Sequence, residues 1–444
     1  MLEIDYDPLD VVVGIEQALA PDAVKVWPEF GTNVAFTYGQ GDQSRTDAAF
    51  EKADKVVSID VVNNRIVANY MELRGCVAEF DAASDRFKLT VGTQGGHGLR
   101  DIICSVLDLE ADKLQVITPE VGGGFGTKMF CYREYPLSMV AARELGRPVR
   151  WTGERMDHFV TDAHGRDNVT HAELALDADC RILGLKVHVK AAMGAYLHQF
   201  GPFIPFVGTS MTSGLYDIPA VFAKVEGVYM HTVPTDAFRG AGRPEAAYLI
   251  ERLIEKAGEE TGVGSVEIRK RNFIKPEQLP YTTQTGRMYD TGDFSGHLQK
   301  ALEVADWDGF KARQDDSAKH GKYRGIGICS YIEACAFPGS EEATLELNDK
   351  GTLTLLIGTQ TNGQGHATAY SQVIAEQFGI SIEDIDVIQG DTDRVRKGGG
   401  TGGSRSIPIG LPSVRDAGIA LVKKVKELAA DRLEAGIEDL ELDG

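Results

Sequence analysis

The residues best suited to chemistry are gathered around glycine. Residues 121–128 read Val-Gly-Gly-Gly-Phe-Gly-Thr-Lys, with four glycines in the five positions 122–126. Such a backbone can pass close to a ligand with several N–H groups aimed one way. An apolar run, Leu114 to Ile117, precedes it and a helix-like run, about Cys131 to Leu145, follows. Strand, glycine loop and helix N-terminus make an anion cradle. The loop matches neither the Gly-Lys-Ser/Thr phosphate loop nor Gly-x-Gly-x-x-Gly, because Thr127 stands at the last glycine position. A second cluster, Gly398-Gly-Gly-Thr-Gly-Gly-Ser-Arg-Ser406, supplies hydroxyls and a guanidinium fork suited to phosphate. Gln94 and Gln360 each close a Gly-Thr-Gln run at a strand end, where an amide offers both a donor and an acceptor. A loop-capping role explains either one alone, and their pairing favours function. Gln364, Gly365 and His366 open a helix whose first amides can meet a phosphate. Arg239 sits in a tight glycine turn, a cation placed for phosphate or carboxylate, with a surface ion pair as the simpler account. Arg243 and Glu245 are read as a local pair. His97 and His366 have no His, Cys or carboxylate at ligand spacing, so hydrogen bonding fits them better than metal binding. No nucleophile–base pair and no carboxylate pair stands out.

The elements that position these residues occur twice. Phe87, Leu89 and Val91 alternate apolar with polar after a turn at Asp81 to Asp85, as a hairpin arm does. Gly92-Thr-Gln94 follows, then a helix with Leu99, Ile102, Ile103, Val106 and Leu107 on one face, then strand 114–117 and the first glycine loop. Leu353, Leu355 and Ile357 alternate in the same way and lead to Gly358-Thr-Gln360. A helix bearing Tyr370, Val373, Ile374 and Phe378 follows, then strand Ile385 to Ile388 and the second glycine loop. A duplicated unit is a strong organisational signal. It predicts an α+β fold of two related mixed α/β domains, the second incomplete. The boundaries expected are a connector over 1–50, a first domain over 51–275, an interdomain crossing over 276–320 and a second domain over 321–444. Arg150 to Phe159 reads as a strand, 194–216 as an aromatic loop lining a pocket or funnel, and Val414 to Leu433 as a long helix. The run from Ile437 to Gly444 reads as the start of a strand.

Composition limits the partners. The 43% hydrophobic and 25% charged content is ordinary for a globular protein. Its 50 glycines exceed the usual ~7% share and cluster in the loops. The 46 basic and 66 acidic residues give a net charge of −20, which argues against nucleic acid or an anionic membrane as partner. An anionic cofactor would therefore need local donors. The six cysteines form no Cys-x-x-Cys pair and read as reduced, mostly buried thiols of a cytoplasmic protein. No apolar run reaches the ~18 residues of a membrane span, and Met1 to Asp7 is no signal peptide.

Taken together, Gly92-Thr-Gln94, Gly122 to Lys128, Ala237-Phe-Arg-Gly-Ala-Gly-Arg-Pro-Glu245, Ile268-Arg-Lys-Arg-Asn-Phe273, Gly363-Gln-Gly-His366 and Gly402-Gly-Ser-Arg-Ser406 resemble the molybdopterin-binding subunit of the molybdenum hydroxylases. That family includes xanthine dehydrogenase, aldehyde oxidoreductases and aerobic carbon monoxide dehydrogenases. The motifs run in family order over nearly the whole chain. The resemblance implies molybdenum carried by a pterin, as the cytosine dinucleotide, with no metal ligands from the protein. It implies catalytic roles for Gln94, Phe125 and Arg239. Cofactor contacts would come from Gln94, Gly123, Gly124, Phe125, Gly126, Phe238, Arg239, Gly240, Gln364, Gly365, His366, Thr401, Ser404, Arg405 and Ser406. The implied reaction hydroxylates an electron-poor carbon of a small organic substrate with oxygen from water. Electrons leave through a [2Fe–2S] small subunit and an FAD medium subunit, in a homodimer of heterotrimers. Three departures qualify this. Gly240 stands where copper-containing members carry cysteine, so no copper is expected. Met129 stands where purine-oxidising members have glutamate. The family's Gly-x-Gly-Glu base is not among these 444 residues, which keeps open a non-catalytic cofactor-holding or assembly fragment. A flavin or nicotinamide dehydrogenase remains a third reading, disfavoured by Thr127.

Overall fold

The computed structural model describes residues 4–442. The chain forms two compact units, each built from two separate segments: Met1–Ile66 with Ala163–Glu333, and Val67–Asp162 with Ala334–Gly444.

The first unit is organised on a five-stranded sheet, in the order Val34–Gly41, Val221–Tyr229, Ile182–Gly194, Asn168–Leu176, Lys55–Asn63. All neighbours are antiparallel except Ile182–Gly194 and Val221–Tyr229. Helix Arg243–Thr261 lies against it because Leu249, Leu253, Ile254 and Ala257 recur at helical spacing and join Val57, Leu174 and Leu185 in one buried cluster. Pro244 in its first turn and the left-handed Gly262 after its end punctuate it. Arg269, fully buried, is held by Glu251 at 2.9 Å and Glu255 at 2.7 Å. Asn272 bridges to the Ile182 amide and the Cys180 carbonyl. The Ile268–Phe273 motif is thus a buried brace. The 276–320 stretch, expected as a crossing, carries a small hairpin and two helices, Phe294–Val304 and Phe310–Lys319.

The second unit contains both copies of the repeat. One sheet runs Leu114–Ile117, Arg86–Val91, Gly75–Asp81, Val149–Thr152; the other runs Ala343–Leu347, Leu353–Ile357, Ile385–Ile388. In each copy an antiparallel hairpin is followed by a helix, Gly96–Leu107 or His366–Phe378. A single 3-10 turn then leads to a strand parallel to the hairpin's second arm. The copies meet where the parallel strands end. The Thr118 amide donates to the Gly390 carbonyl at 2.6 Å, and Thr392 to Val116 at 3.1 Å.

Three expectations change. Residues 150–159 are strand only to Thr152. A helix, Arg155–Thr161, follows because Glu154 and Asp157 form a capping box. The helix after the first glycine loop begins at Glu134, separated from the loop by the turn Thr127–Met129. Ile437–Asp439 is a 3-10 turn rather than a strand start, while Asp443 and Gly444, like Met1 to Glu3, lie outside the described residues.

Candidate functional site

The first glycine loop is tied down at both ends by Glu72, which sequence reading passed over. Its Oε2 accepts from the Gly122 amide at 2.8 Å and from Lys128 Nζ at 2.6 Å. Lys128 is fully buried over the Tyr70 ring, 4.5 Å from its centroid. Burial lowers its pKa and Glu72 opposes the shift. The loop's one cation is therefore a strut. Between these anchors Gly123, Phe125 and Gly126 take φ of 89°, 53° and 108°. Phe125 is the non-glycine residue held in this left-handed region, and it is 43% exposed.

Gln94 joins this loop to the second one. Its Oε1 accepts from the Gly126 amide at 2.8 Å, its Nε2 donates to the Thr401 carbonyl at 2.9 Å, and the Thr401 amide donates to its carbonyl at 2.7 Å. The fit admits no side chain at two neighbours. A Cβ on Gly124 would stand 2.5 Å from Gln94 Oε1, and one on Gly400 would stand 2.4 Å from the Gln94 carbonyl oxygen. The structure thus gathers Gln94, Gly124, Gly126 and Thr401 in one place. Met129 packs beside them, its methyl 2.7 Å from where a Cβ on Gly402 would lie.

The second copy has the same frame but different occupancy. Gln360 is buried, and its Oε1 has no partner among the described residues; the same holds for Asn362 Oδ1. Gln364 Oε1 accepts from the Asn362 amide. His366 is buried at the helix start, with Nδ1 3.5 Å from Gln389 Nε2, and burial lowers its pKa. Both repeat helices start from a glycine, Gly95 or Gly365, with no side-chain cap. Arg405, expected as a phosphate fork, pairs with the buried Glu341 and donates to the carbonyls of Gly400 and Ser340. Ser406 Oγ lies 2.6 Å from Thr401 Oγ1, and Ser404 holds a φ of 59°.

Phe238, Arg239 and Gly240 belong to the first unit. Four successive residues there, Arg239 to Gly242, have φ of 21°, 101°, 49° and 87°. Arg243 and Glu245, expected as a local pair, each have an ion-pair partner elsewhere, while the Arg243 charge still acts to lower the Glu245 pKa. Arg243 lies 3.0 Å from Glu333, and Glu245 lies 3.5 Å from Arg166. Arg166, absent from the expected site, donates to the carbonyls of Phe238 and Arg239 at 2.6 Å each. Burial lowers its pKa, with Glu245 opposing and Arg239 adding to the shift. Burial raises that of Glu245, with Arg166 opposing. Glu245 Oε2 has no partner among the described residues, and Glu245 lines a cavity of about 40 Å³ with Arg166, Asn168, Thr235 and Asp236. Asp236 accepts from the amides of Phe200 and Ala237 and lies 2.7 Å from His198 Nδ1. It ties the turn to the 194–216 stretch, which folds partly as helix Phe203–Thr209. The only sequence signal for Arg166 was a cation directly after Gly165.

Among the described residues no three His, Cys, Asp or Glu side chains gather as a metal site, and no helix is long and apolar enough to cross a membrane. Of the cysteines, Cys76, Cys104 and Cys180 are buried and Cys131 is half-buried, while Cys329 and Cys335 are exposed.

Two family models, each described as a molybdopterin cofactor-binding domain, match residues 26–273 and 300–444. The chain is 34% identical to the carbon monoxide dehydrogenase large chain of Hydrogenophaga pseudoflava, over 99% of this chain and 58% of that one. It is 32% identical to the nicotine 6-hydroxylase large subunit of Paenarthrobacter nicotinovorans, over 100% and 55%. Quinoline 2-oxidoreductase from Pseudomonas putida 86 superposes with a TM-score of 0.91 at 28% identity, covering 99% of this chain and 57% of that one. The Cu,Mo-CO dehydrogenase in its carbon monoxide reduced state superposes at 0.90 with 32% identity, covering 99% and 59%. The chain thus spans little more than half the length of these relatives.

Proposed function

From its membership of the molybdenum hydroxylase family, with two molybdopterin cofactor-binding domains, we propose that the chain serves as large-subunit polypeptide of a hydroxylase acting on an aldehyde or N-heterocycle. The observation that carries this is the paired glycine loops locked together by Gln94, beside two helices whose N-termini have no side-chain cap. Uncapped first-turn amides suit the pyrophosphate of a pterin dinucleotide. The unpartnered acceptors Gln360 Oε1 and Asn362 Oδ1 suit the N–H donors of a pterin. These residues fit the group.

Gln364, Gly365 and His366 would hold the pyrophosphate or nucleotide, with Gln94, Gly123 to Gly126, Thr401, Ser404 and Ser406 along the pterin. Arg405, neutralised by Glu341, shapes its loop rather than meeting phosphate as a free cation. Phe238, Arg239 and Gly240 are assigned to cofactor binding on their motif alone. When bound, the group supplies two-electron oxidation of an electron-poor carbon with oxygen taken from water. The chain's own share is binding and orientation: Gln94 fixes the loop spacing, and the strained backbone at Phe125 sets the direction of its ring.

A copper-bearing variant of the site is disfavoured. Gly240 has a φ of 101°, and a Cβ there would stand 2.3 Å from Pro244 Cγ, so cysteine does not fit this backbone. Met129, in place of glutamate, disfavours a purine. The cytosine dinucleotide form, the [2Fe–2S] and FAD partner subunits, a homodimer of heterotrimers and a cytoplasmic location complete the proposal.

Purified protein, expressed with its partner subunits, is tested by metal analysis and by acid release of nucleotide. The expected result is one molybdenum and one CMP per chain. Protein empty of both would make the chain a non-catalytic holding or assembly component, and flavin or nicotinamide retained by this chain after separation from its partner subunits would overturn the assignment.

A further inference from the structure

The turn from Phe238 to Gly242 is an unfavourable backbone to hold, since Arg239 and Ala241 share with two glycines a run of positive φ. Such a run persists only where its surroundings over-determine it. The determining contact comes from far along the sequence. Gly165 has no side chain where a Cβ would meet Phe238 Cβ at 2.4 Å, so the two backbones approach closely. Directly after it, Arg166 and Asp167 are themselves left-handed, with φ of 63° and 65°. That bend is anchored by Arg65, whose Nε lies 2.7 Å from Asp167 Oδ2 and which also donates to Val233 and Thr232. The bend delivers the Arg166 guanidinium to two successive carbonyls, Phe238 and Arg239, at 2.6 Å each. Glu245, in the first turn of the following helix, supplies the counter-charge at 3.5 Å.

We propose that Arg166 and Glu245 are a largely buried positioning pair that fixes the Phe238–Arg239 backbone and, through it, the direction of the Arg239 side chain. The inference rests on the reading that places Arg239 in the cofactor site. A planar fork is required, because two neighbouring carbonyls are met by two nitrogens of one guanidinium and an ammonium cannot reproduce that spacing. Glu245 is needed because Arg166 is a largely buried cation beside Arg239: burial above all, and then the like charge, disfavour its charged form, and Glu245 at 3.5 Å offsets both.

The test uses the full chain and its molybdenum-loaded complex, comparing Arg166→Met, Arg166→Lys and Glu245→Gln. In Arg166→Met, hydrogen exchange at the Ala241 amide, which bonds the Phe238 carbonyl, should rise about tenfold or more while strand Asn168–Leu176 keeps its protection. In the loaded complex kcat should fall about tenfold or more with KM within about twofold, as misplacement rather than lost binding predicts. Arg166→Lys should recover part of both, and Glu245→Gln should show the same pattern more weakly. Unchanged exchange at Ala241, or exchange rising equally across the unit, overturns the proposal. If Arg166→Met does not fold, the Lys and Gln variants decide on the same readouts. If wild-type chain takes up no molybdenum, the functional reading fails, while the exchange pattern still decides the pair.

Discussion

Gln94 and Thr401, 307 residues apart, are joined by two hydrogen bonds, one from the Gln94 amide group at 2.9 Å and one from the Thr401 backbone at 2.7 Å. A third bond, from the Gly126 amide at 2.8 Å, occupies the other end of the same side chain. Gln94→Ala leaves the Gly126 amide and Thr401 carbonyl without these partners in a mostly buried setting. The expected loss is about 1–3 kcal/mol of stability, read as a lower urea midpoint, together with lost cofactor retention. Gln94→Glu should keep the acceptor for Gly126 but place a carboxylate against the Thr401 carbonyl, and should be no milder. Full stability in Gln94→Ala would show that the loops are held by other contacts.

The repeat was legible because its signal is local. Phe87, Leu89 and Val91, like Leu353, Leu355 and Ile357, write a two-residue period, and the Gly-Thr-Gln run marks each strand end. What was illegible are the charges that neutralise the motifs. Glu72 for Lys128, Glu341 for Arg405 and Arg166 for Glu245 lie 56, 64 and 79 positions from their partners, and nothing in their neighbourhoods announces the pairing. Arg405 was therefore read as a phosphate fork with no sign of the carboxylate that pairs with it. The 150–159 stretch was misread beyond Thr152 for a different reason: its apolar run is too short to separate strand from helix, and the capping box decides. Helix Phe294–Val304 was passed over although Phe294, Leu298 and Leu302 recur at helical spacing on its core side, because the polar, Pro- and Gly-punctuated sequence around it was read as a crossing.

Asp162 should be the most sensitive carboxylate of the second unit. It lies 2.7 Å from the Nε of Arg74, a fully buried guanidinium stacked 3.7 Å over the Tyr132 ring, and accepts from the Tyr70 hydroxyl. Asp162→Ala leaves Arg74 with the carboxylate of Glu134 at 3.4 Å and the Thr161 hydroxyl at 3.3 Å. The expected cost is about 3–5 kcal/mol, the range for breaking a buried pair from one side. Asp162→Asn retains an acceptor for Arg74 and should cost less. Chemical denaturation of both variants, followed by far-UV circular dichroism, gives the comparison.

His366 makes acid stability a test of the second helix start. Burial holds its pKa below the ordinary 6.5, so the unfolded chain binds its proton more readily than the folded one. Its contribution is present above about pH 6.5 and is lost as pH falls through the lower folded value. His366→Asn removes the titration and should flatten that part of the stability profile between neutral pH and pH 5. Unfolding midpoints measured in steps across this range check it, and parallel curves for variant and wild type would show that His366 titrates alike in both states.

Gly240 offers the most direct link between backbone and chemistry. Its φ of 101° lies where a side chain is strained, and the Pro244 ring occupies the space a Cβ would take. Gly240→Cys should cost about 1–3 kcal/mol from backbone strain alone, with further loss from overlap with Pro244. The turn must move to accept it, and Arg243 Nε, 2.6 Å from the Gly240 carbonyl, should lose that bond. Because the thiol is forced in by displacing the turn, the variant should not gain copper or carbon monoxide oxidation. Urea midpoints, copper content after reconstitution, and assays with carbon monoxide and with an aldehyde or N-heterocycle distinguish the outcomes. A Gly240→Cys protein of unchanged stability that binds copper stoichiometrically would mean that this turn accommodates cysteine after all, and the argument from Pro244 would fall.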